Sequence, residues 1–362
     1  MSVNIHTEWG PLKEVIVGNI GKWTTIHPDF SFLLFFHENI KDALIQNSVD
    51  LQKKLVEQRQ EDLDGLASTL VSLGIKVHRP LGLENINKFK TPEFEDFPSP
   101  CDNPRDQFLV IGNEIIETSC QWRRRYFEND LMKPILYHYF RKGAKWSCSP
   151  RPIMGLNSFD FSNIEKGTPG IDWDNLSMNP DEQEIMFDGA QCLKFGKDIV
   201  FNVSTRNHEL GVEWLKRHLG EKFRIHTVRI TDHHLDGMFL PLKPGTLLIN
   251  PKSMSDKLDL LPGPLKKWDT LVVPEEHKEV YPKGSVLLAS SNINVNVLSL
   301  NEKQMLVFQE SGTEYSALVR TLERAGFEPI PVQLRHSRLF GGGIHCATLD
   351  TVREDSPEDY FS

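Results

Sequence analysis

The chain has 362 residues, of which 39% are hydrophobic and 25% charged, and its formal net charge is −9 at pH 7. These values are typical of a soluble globular protein with a sizeable core. No stretch approaches the ~20 uninterrupted apolar residues of a membrane span, which excludes an integral membrane protein of the helical type. The opening residues include Glu8 and lack the basic and apolar regions of a signal peptide, so we expect a cytoplasmic protein.

The five cysteines favour reduced thiols over a disulfide framework or a structural zinc site. Their number is odd, they are widely spaced, and none forms a C-x-x-C pair; they are Cys101, Cys120, Cys148, Cys192 and Cys346. The one basic cluster, at residues 123–125, is flanked by aromatic residues. A solvated helix face or local ion pairs explain it better than a nucleic-acid surface, and the negative balance suits a small cationic substrate.

Short β-rich segments alternate with helical patterns along the chain. The predicted strands cover residues 14–17, 75–78, 107–111, 198–203, 245–249, 304–308 and 328–332. Apolar residues at helical spacing predict helices over residues 53–73, 210–219 and 315–325, and Gly74 and Gly326 are expected to end the first and last of these. This order predicts an α/β protein of about five strand–helix modules, forming a single domain over residues 1–362.

Two irregular stretches interrupt this pattern. Residues 91–105 are rich in Pro and Asp, and residues 159–182 mix Gly, Pro, Asn and Asp. Long loops of this kind serve as functional lids or as surface decoration, and composition alone does not separate the two.

The segment Gly341-Gly342-Gly343-Ile344-His345-Cys346 contains the most informative cysteine. Glycines allow backbone conformations closed to other residues and let a ligand approach closely, so a thiol that follows three of them is accessible. Both a catalytic nucleophile and a core cysteine after a tight turn are compatible with this segment.

A cysteine nucleophile needs a base or an ion-pair partner. Residues 231–236, Thr-Asp-His-His-Leu-Asp, form the densest titratable cluster in the chain. On a strand, His234 and Asp236 would share a face, and an aspartate can fix the tautomer of an imidazole. A metal site is disfavoured because the histidines lack the i, i+4 spacing and no cysteine lies nearby, while His233 is equally explained as a structural histidine.

Two aspartates precede predicted strand edges, and a polar run follows an apolar one. Asp106 and Asp188 are each explained as turn or cap residues, or as two carboxylates that converge on a planar guanidinium. Ser290-Ser291-Asn292 follows the apolar residues 286–289 and is typical of a turn.

Several segments, in the same order, resemble the amidinotransferases that move the amidino group of L-arginine to an amine. The resemblance begins with Glu8-Trp9-Gly10-Pro11-Leu12 and continues through residues 104–106, 112–118, 141–146, 187–190 and 210–215 to residues 341–350. The family includes glycine amidinotransferase, inosamine-phosphate amidinotransferase and enzymes of bacterial and cyanobacterial toxin pathways. The resemblance implies a five-bladed, pseudo-symmetric α/β propeller of the deiminase and amidinotransferase type.

The resemblance also implies roles for individual residues. Cys346 matches the nucleophile that forms an amidino–cysteine intermediate, His234 the general acid and base, and Asp188 the third catalytic residue. Substrate-binding positions of the family match Asp106, Asp236, Ser290 and Ser291. The implied reaction is ping-pong, with ornithine leaving before the acceptor amine enters.

Two departures concern the acceptor amine. An arginine that follows the Asn-Pro of the fourth module in glycine and inosamine enzymes is missing, because the chain has Asn250-Pro251-Lys252-Ser253 there. Thr231, Asp232 and His233 differ from the acceptor-shaping segment of the glycine enzyme, so together with Ser253 they are the predicted acceptor pocket. We expect a secondary-metabolite or toxin-pathway amine, with cationic or hydroxylated character, rather than glycine.

Glycine amidinotransferase, an arginine deiminase-like hydrolase of the same fold and a non-catalytic scaffold remain as alternatives. The opening and closing motifs favour transfer over hydrolysis, and the presence of all three catalytic matches disfavours a scaffold. No cofactor and no metal are implied, since the chain lacks a dinucleotide or phosphate loop and thiol chemistry needs neither. The expected partners are small-molecule substrates, with neither nucleic acid nor membrane, and the family resemblance is compatible with a homodimer.

Overall fold

The structure is a computed structural model that describes residues 2–36, 50–232, 234–274, 281, 285–290, 293–309 and 316–362. His233 and Ser291 therefore lie outside the described residues. No helix among the described ranges is long and apolar enough to cross a membrane.

Five three-stranded sheets form the framework, and each has the same internal arrangement. A middle strand pairs antiparallel with one neighbour and parallel with the other. In chain order of their middle strands the sheets are β17-β1-β2, β5-β6-β7, β8-β9-β10, β11-β12-β13 and β14-β15-β16, with strands β1 (Leu12–Val17), β2 (Lys76–His78), β5 (Phe108–Ile111), β6 (Glu114–Glu117), β7 (Lys145–Cys148), β8 (Cys192–Phe195), β9 (Asp198–Asn202), β10 (Arg224–Val228), β11 (Phe239–Lys243), β12 (Thr246–Ile249), β13 (Asp269–Val272), β14 (Leu298–Ser299), β15 (Gln304–Phe308), β16 (Glu328–Val332) and β17 (Thr348–Arg353). A separate two-stranded ribbon pairs β3 (Phe89–Lys90) with β4 (Glu95–Asp96).

Helices provide the crossovers that parallel pairing requires. The α-helices are α1 (Phe30–Phe36), α2 (Lys53–Ser72), α3 (Pro104–Gln107), α4 (Lys133–Arg141), α5 (Arg206–Leu219), α6 (Pro251–Met254) and α7 (Ala317–Arg324). The side chains of Thr205 and Ser316 cap α5 and α7 by accepting hydrogen bonds from backbone N–H groups of the first turn. Gly74 and Gly326 follow α2 and α7 with φ of +81° and +84°, which confirms the two predicted helix ends.

The middle strands and their antiparallel neighbours are mostly buried, whereas the parallel outer strands are exposed or half-buried over much of their length. β5, with the sequence FLVI, and β12, with TLLI, contain only buried residues. The predicted strands and helices are all present within a few residues of their expected bounds, apart from Tyr315, which lies outside the described residues. The α/β class is therefore confirmed.

The basic cluster at residues 123–125 is a short 3-10 helix whose arginines are all buried. The expectation of a solvated face was wrong, and that of local ion pairs was correct. Arg123 pairs with Asp29, and Arg125 pairs with Asp106 and Glu128. Arg124 donates to the backbone carbonyls of Thr24 and Thr25. Burying guanidinium groups without such partners would be strongly unfavourable.

Candidate active site

The five sheets bring equivalent positions of the chain toward one place. Asp106, Asp188, Asp236, Asn296 and Cys346 each lie two to four residues before the antiparallel outer strand of a sheet, namely β5, β8, β11, β14 and β17. Four of them line one cavity of about 160 Å³, and Asp188 bonds to His234, which also lines it. The site is thus built from the entrances to five strands that are far apart in sequence.

Three hydrogen bonds to two neighbouring side chains hold Cys346. Its backbone N–H donates to Asn296 Oδ1 at 3.0 Å, and Asn296 Nδ2 donates to the Sγ atom at 3.2 Å. The thiol in turn donates to Asp236 Oδ2 at 3.1 Å. Burial and the negative charges of Asp236 and Asp106 raise the pKa of Cys346 well above its usual value. The thiol is therefore protonated in the substrate-free site at neutral pH.

The glycine run allows this close packing. A Cβ atom on Gly342 would lie 2.1 Å from Asn103 Oδ1, and one on Gly343 would lie 2.6 Å from Asn296 Cβ and Oδ1. Gly341 has a φ of +70°, which L side chains rarely adopt. Glycine is required here because the chain passes directly against the residues that hold Cys346.

His234 lies between two carboxylates. Its Nε2 atom is 2.9 Å from Asp188 Oδ2, and its Nδ1 atom is 3.6 Å from Asp106 Oδ1. Burial lowers the pKa of His234, but the charge of Asp106 and the hydrogen bond and charge of Asp188 outweigh it and raise the pKa to about 9. At neutral pH this side chain is an imidazolium that can donate a proton.

Each of these two aspartates keeps one buried oxygen without a hydrogen-bond partner, Oδ1 in both cases. Burial raises the pKa of Asp106, while His234 and Arg125 oppose that shift. Arg125 donates to Asp106 Oδ2 at 2.6 Å and fixes the orientation of the carboxylate. An unfilled buried acceptor is unfavourable unless a ligand supplies a donor, so Asp106, which lines the cavity, is suited to a guanidinium.

His234 and Asp236 do not share a strand, which corrects the expectation from their spacing. They lie in the loop between β10 and β11, and both line the cavity because the loop curves around it. The imidazole of His234 takes Asp188 rather than Asp236 as its hydrogen-bond partner, while Asp236 bonds to Cys346 and to His345.

The predicted acceptor residues are only partly brought together. Thr231 and Ser253 line the cavity, as does Ser290, which was predicted to bind substrate, whereas Asp232 is half-buried and is not among the lining residues. Lys252, in the segment that lacks the family arginine, is exposed and does not line the cavity. His233 and Ser291, also predicted for substrate contacts, are outside the described part of the chain.

Sequence reasoning missed two residues that complete the site, Asn296 and Arg125. Asn296 precedes the outer strand of the fifth module, and comparison of equivalent positions in the other modules would have identified it. No local signal marks Arg125, since it is one of three consecutive arginines and only the fold decides which of them reaches Asp106. Within the described residues, no group of three or more His, Cys, Asp or Glu side chains is arranged to hold a metal ion.

Comparison with known proteins gives relatives along the whole chain. It is 32% identical over 369 residues to the L-arginine:L-lysine amidinotransferase of Pseudomonas savastanoi pv. phaseolicola, covering 98% of this chain and 96% of that one. It is 33% identical over 365 residues to inosamine-phosphate amidinotransferase 1 of Streptomyces griseus, covering 99% of both. The chain belongs to the amidinotransferase family. No protein-family model matches it.

Solved structures agree with this assignment. The inosamine-phosphate amidinotransferase of Streptomyces griseus superimposes with a TM-score of 0.86 over 100% of both chains at 31% identity. An amidinotransferase of the saxitoxin biosynthetic pathway from Microseira wollei gives 0.82 at 32% identity, over 99% of both chains. The protein is therefore an enzyme, an amidinotransferase, and the resemblance inferred from the sequence motifs is confirmed.

Proposed function

We propose that this amidinotransferase moves the amidino group of L-arginine to an acceptor amine through a covalent intermediate on Cys346. The observation that supports this most directly is the buried, unpartnered Oδ1 atom of Asp106, which lines the cavity together with His234 and the thiol. A guanidinium is planar, carries donors on adjacent nitrogens and matches the geometry of a carboxylate. The names of the relatives point to the same donor.

The first half-reaction forms the Cys346–amidino bond and breaks the bond between the guanidinium carbon and the ornithine nitrogen. The incoming cation lowers the cost of thiolate formation, which burial and Asp236 otherwise disfavour. Asp236 accepts the S–H hydrogen bond and is placed to pass this proton toward the departing nitrogen. His234 gives its own proton to the same nitrogen, so ornithine leaves as an ammonium ion.

The second half-reaction reverses these steps with a different amine. Neutral His234 takes one proton from the acceptor ammonium, and the free amine attacks the amidino carbon. The carbon–sulfur bond breaks, and the second proton returns to the Cys346 sulfur. The enzyme then holds its original thiol and imidazolium, and no proton is gained or lost over the cycle.

The acceptor is proposed to be a secondary-metabolite or toxin-pathway amine rather than glycine. Among the described lining residues the cationic side chains are Arg125 and His234, and both are engaged by carboxylates of the site. A glycine carboxylate would need a cation of its own in the cavity. The hydroxyl-bearing residues Thr231, Ser253 and Ser290 instead suit hydroxyl or amine groups.

We also infer that the five sheets close into a five-bladed propeller and form one domain. The repeated sheet arrangement and the convergence of five strand entrances on one cavity support this. In addition, the last strand, β17, completes the sheet of the first strand, β1, with antiparallel pairing from Leu12 to Val17.

Intact-protein mass spectrometry after mixing with L-arginine alone tests the proposal. We expect one amidino adduct per chain, about one equivalent of ornithine and no citrulline, because no acceptor amine is present. Cys346→Ser should abolish the adduct and lower transfer activity by at least about 10³-fold. Cys148→Ser, which removes an exposed thiol away from the cavity, should behave like the wild type.

Other outcomes of this experiment would support the alternatives or contradict the proposal. Continuous citrulline release would identify the hydrolase alternative, and absence of both adduct and ornithine would contradict arginine as the donor. Once the adduct is formed, challenge with glycine, lysine and hydroxylated amines identifies the acceptor class. Faster discharge by glycine than by every other amine would contradict the proposed acceptor.

A further inference from the structure

His345 precedes the nucleophile and is buried, with only 3% of its surface exposed. Its Nδ1 atom lies 2.9 Å from Asp236 Oδ2, and its Nε2 atom lies 3.3 Å from Glu8 Oε2. Ionised carboxylates only accept hydrogen bonds, so an imidazolium satisfies both contacts, whereas either neutral tautomer satisfies one of them. The geometry therefore favours an imidazolium held between two carboxylates.

Both carboxylates are ionised. Burial opposes the ionisation of Glu8, but Lys194, His345 and Arg105 outweigh it and lower the pKa of Glu8 well below its usual value. Burial likewise opposes the ionisation of Asp236, while His345 and His234 lower its pKa to about 2. Neither side chain can donate a proton to His345 at neutral pH.

Glu8 belongs to a buried cluster of charged side chains next to Cys346, which we call the charge cluster. Its members are Glu8, Asp236, Asp350, Lys194, Arg105, Arg353 and His345. Lys194 Nζ is 2.8 Å from Glu8 Oε1, and Arg105 lies 3.7 Å from Glu8 Oε2. Arg105 also donates to Asp350 at 2.6 Å and to the backbone carbonyl of His345 at 2.7 Å. Arg353 donates to the second oxygen of Asp350 at 2.7 Å.

Within this cluster, counted without the charged groups around His234, cations outnumber carboxylates by one when Cys346 is a thiol. The three carboxylates of the cluster, on Glu8, Asp236 and Asp350, are matched by three cations, Lys194, Arg105 and Arg353. The imidazolium of His345 leaves one positive charge in excess, and the thiolate of Cys346 would cancel it. This local positive excess partly offsets the burial and the charges of Asp236 and Asp106, which together keep the resting thiol protonated.

We propose that His345 is a positioning residue whose imidazolium charge, held by Glu8 and transmitted through Asp236, stabilises the Cys346 thiolate. The inference rests on the proposed nucleophilic role of Cys346. It also assigns a function to Glu8 of the opening motif, which anchors the imidazolium from the far side. The sulfur and the nearest nitrogen of His345 both lie within hydrogen-bond distance of the same Asp236 oxygen, which places the two charges close together.

Alkylation of Cys346 by iodoacetamide, without arginine, tests the proposal. Its rate follows the thiolate fraction, and peptide mass spectrometry separates Cys346 from the other four cysteines. Four proteins are compared between pH 6 and 10: the wild type, His345→Gln, Glu8→Gln and the double variant. The double variant removes one positive and one negative charge and so keeps the net charge of the cluster.

At a fixed pH we expect His345→Gln to slow alkylation about 10- to 100-fold, the effect of a unit charge within about 6 Å at an effective dielectric constant of about 20. Glu8→Gln should accelerate alkylation, because it increases the positive excess. The double variant should return to within about threefold of the wild type, since one positive and one negative charge are removed together. Asp106, Asp236 and His234, which face the thiol from other elements, are unchanged in all four proteins.

A folded His345→Gln protein with the wild-type alkylation rate would overturn the proposal and leave His345 as a structural core residue. If the double variant were alkylated as slowly as His345→Gln, the net charge of the cluster would not control the reactivity of Cys346. A specific hydrogen bond from His345 would then explain the effect. If His345→Gln does not fold, Glu8→Gln decides by the sign of its effect. Because no arginine is used, failure of the wild type to form an amidino adduct would contradict the proposed function separately.

Discussion

At the scale of single residues, the surroundings of Cys346 and His234 give the two side chains different protonation states. Burial and nearby carboxylates keep the Cys346 thiol protonated, while carboxylates on both ring nitrogens keep His234 charged. The resting pair is therefore a thiol and an imidazolium, rather than the thiolate–imidazolium pair of many cysteine enzymes. In the proposed mechanism, the cationic substrate converts this pair to the reactive form.

Asp188→Asn isolates the electrostatic part of this arrangement, because an amide oxygen can still accept from His234 Nε2. We expect the rate of the arginine-dependent ornithine burst to fall about 10²- to 10⁴-fold. The wild-type burst should decline as pH rises through about 9, since the acid form of His234 is lost there. Without the charge of Asp188 the pKa of His234 falls, so the decline should occur at lower pH.

Pre-steady-state ornithine release between pH 6 and 10 measures both effects. Asp181→Asn, at an exposed loop carboxylate, is the control and should leave the profile unchanged. If the ornithine burst of Asp188→Asn declined at the same alkaline pH as that of the wild type, the decline would not reflect the loss of the His234 proton.

At the scale of elements, the segment before each antiparallel outer strand carries one residue of the candidate site. The glycine loop before β17 is additionally braced by α2. Arg59 of that helix is fully buried and donates to the carbonyl of Gly342 at 3.1 Å and to Ser337 at 3.2 Å. Helix α2, from the first quarter of the chain, thus holds the loop that carries Cys346, the proposed nucleophile, near the end of the chain.

Gly343→Ala tests how tightly this loop must pack. Its Cβ would lie 2.6 Å from Asn296, which must shift and release its two contacts with Cys346. We expect activity to fall by about 10²-fold, as for a displacement of about 1 Å at a reacting group, and stability to fall by about 1–3 kcal/mol. Ornithine-burst kinetics and urea unfolding measure the two quantities.

Gly65→Ala provides the matched control, because Gly65 lies in α2 with open space around its Cα. Alanine should be neutral or stabilise the protein by up to about 1 kcal/mol, with unchanged activity. If Gly343→Ala retained full activity, the close packing against Asn296 would not be needed for catalysis.

At the scale of the whole molecule, the two ends of the chain are joined. β1 and β17 pair antiparallel, and Asp355, just beyond β17, binds the segment before β1. Its Oδ2 atom accepts from the backbone N–H groups of His6 and Thr7 at 3.0 and 2.8 Å and from the Thr7 hydroxyl at 2.9 Å. This contact fixes the start of the chain, which includes Glu8, against the strand that follows Cys346.

Asp355→Ala should therefore lower the free energy of unfolding by about 1–3 kcal/mol, because four donors, including the side-chain amide of Asn4, lose a charged acceptor. Glu354→Ala, at the adjacent residue, removes only an exposed ion pair with Lys13 and should change it by less than about 1 kcal/mol. Urea unfolding of both variants makes the comparison. Equal effects would show that the chain ends are joined by strand pairing alone.

The sequence by itself determined the modules, the family and most of the candidate catalytic residues. Apolar runs, helical spacing and the stops at Gly74 and Gly326 are local signals, so they can be read without knowing which modules meet. The motif around Cys346 is local as well, and its glycines already indicated a close backbone approach.

Only the tertiary structure decided which charges face each other. Asp188 rather than Asp236 holds His234, Arg125 rather than its two neighbours reaches Asp106, and Glu8 meets His345 across most of the chain. These pairings join residues far apart in sequence, and their energies depend on burial and on distances of a few ångströms. Local patterns carry no information on either quantity, which is why Asn296, Arg125 and the charge cluster next to Cys346 emerged from the fold alone.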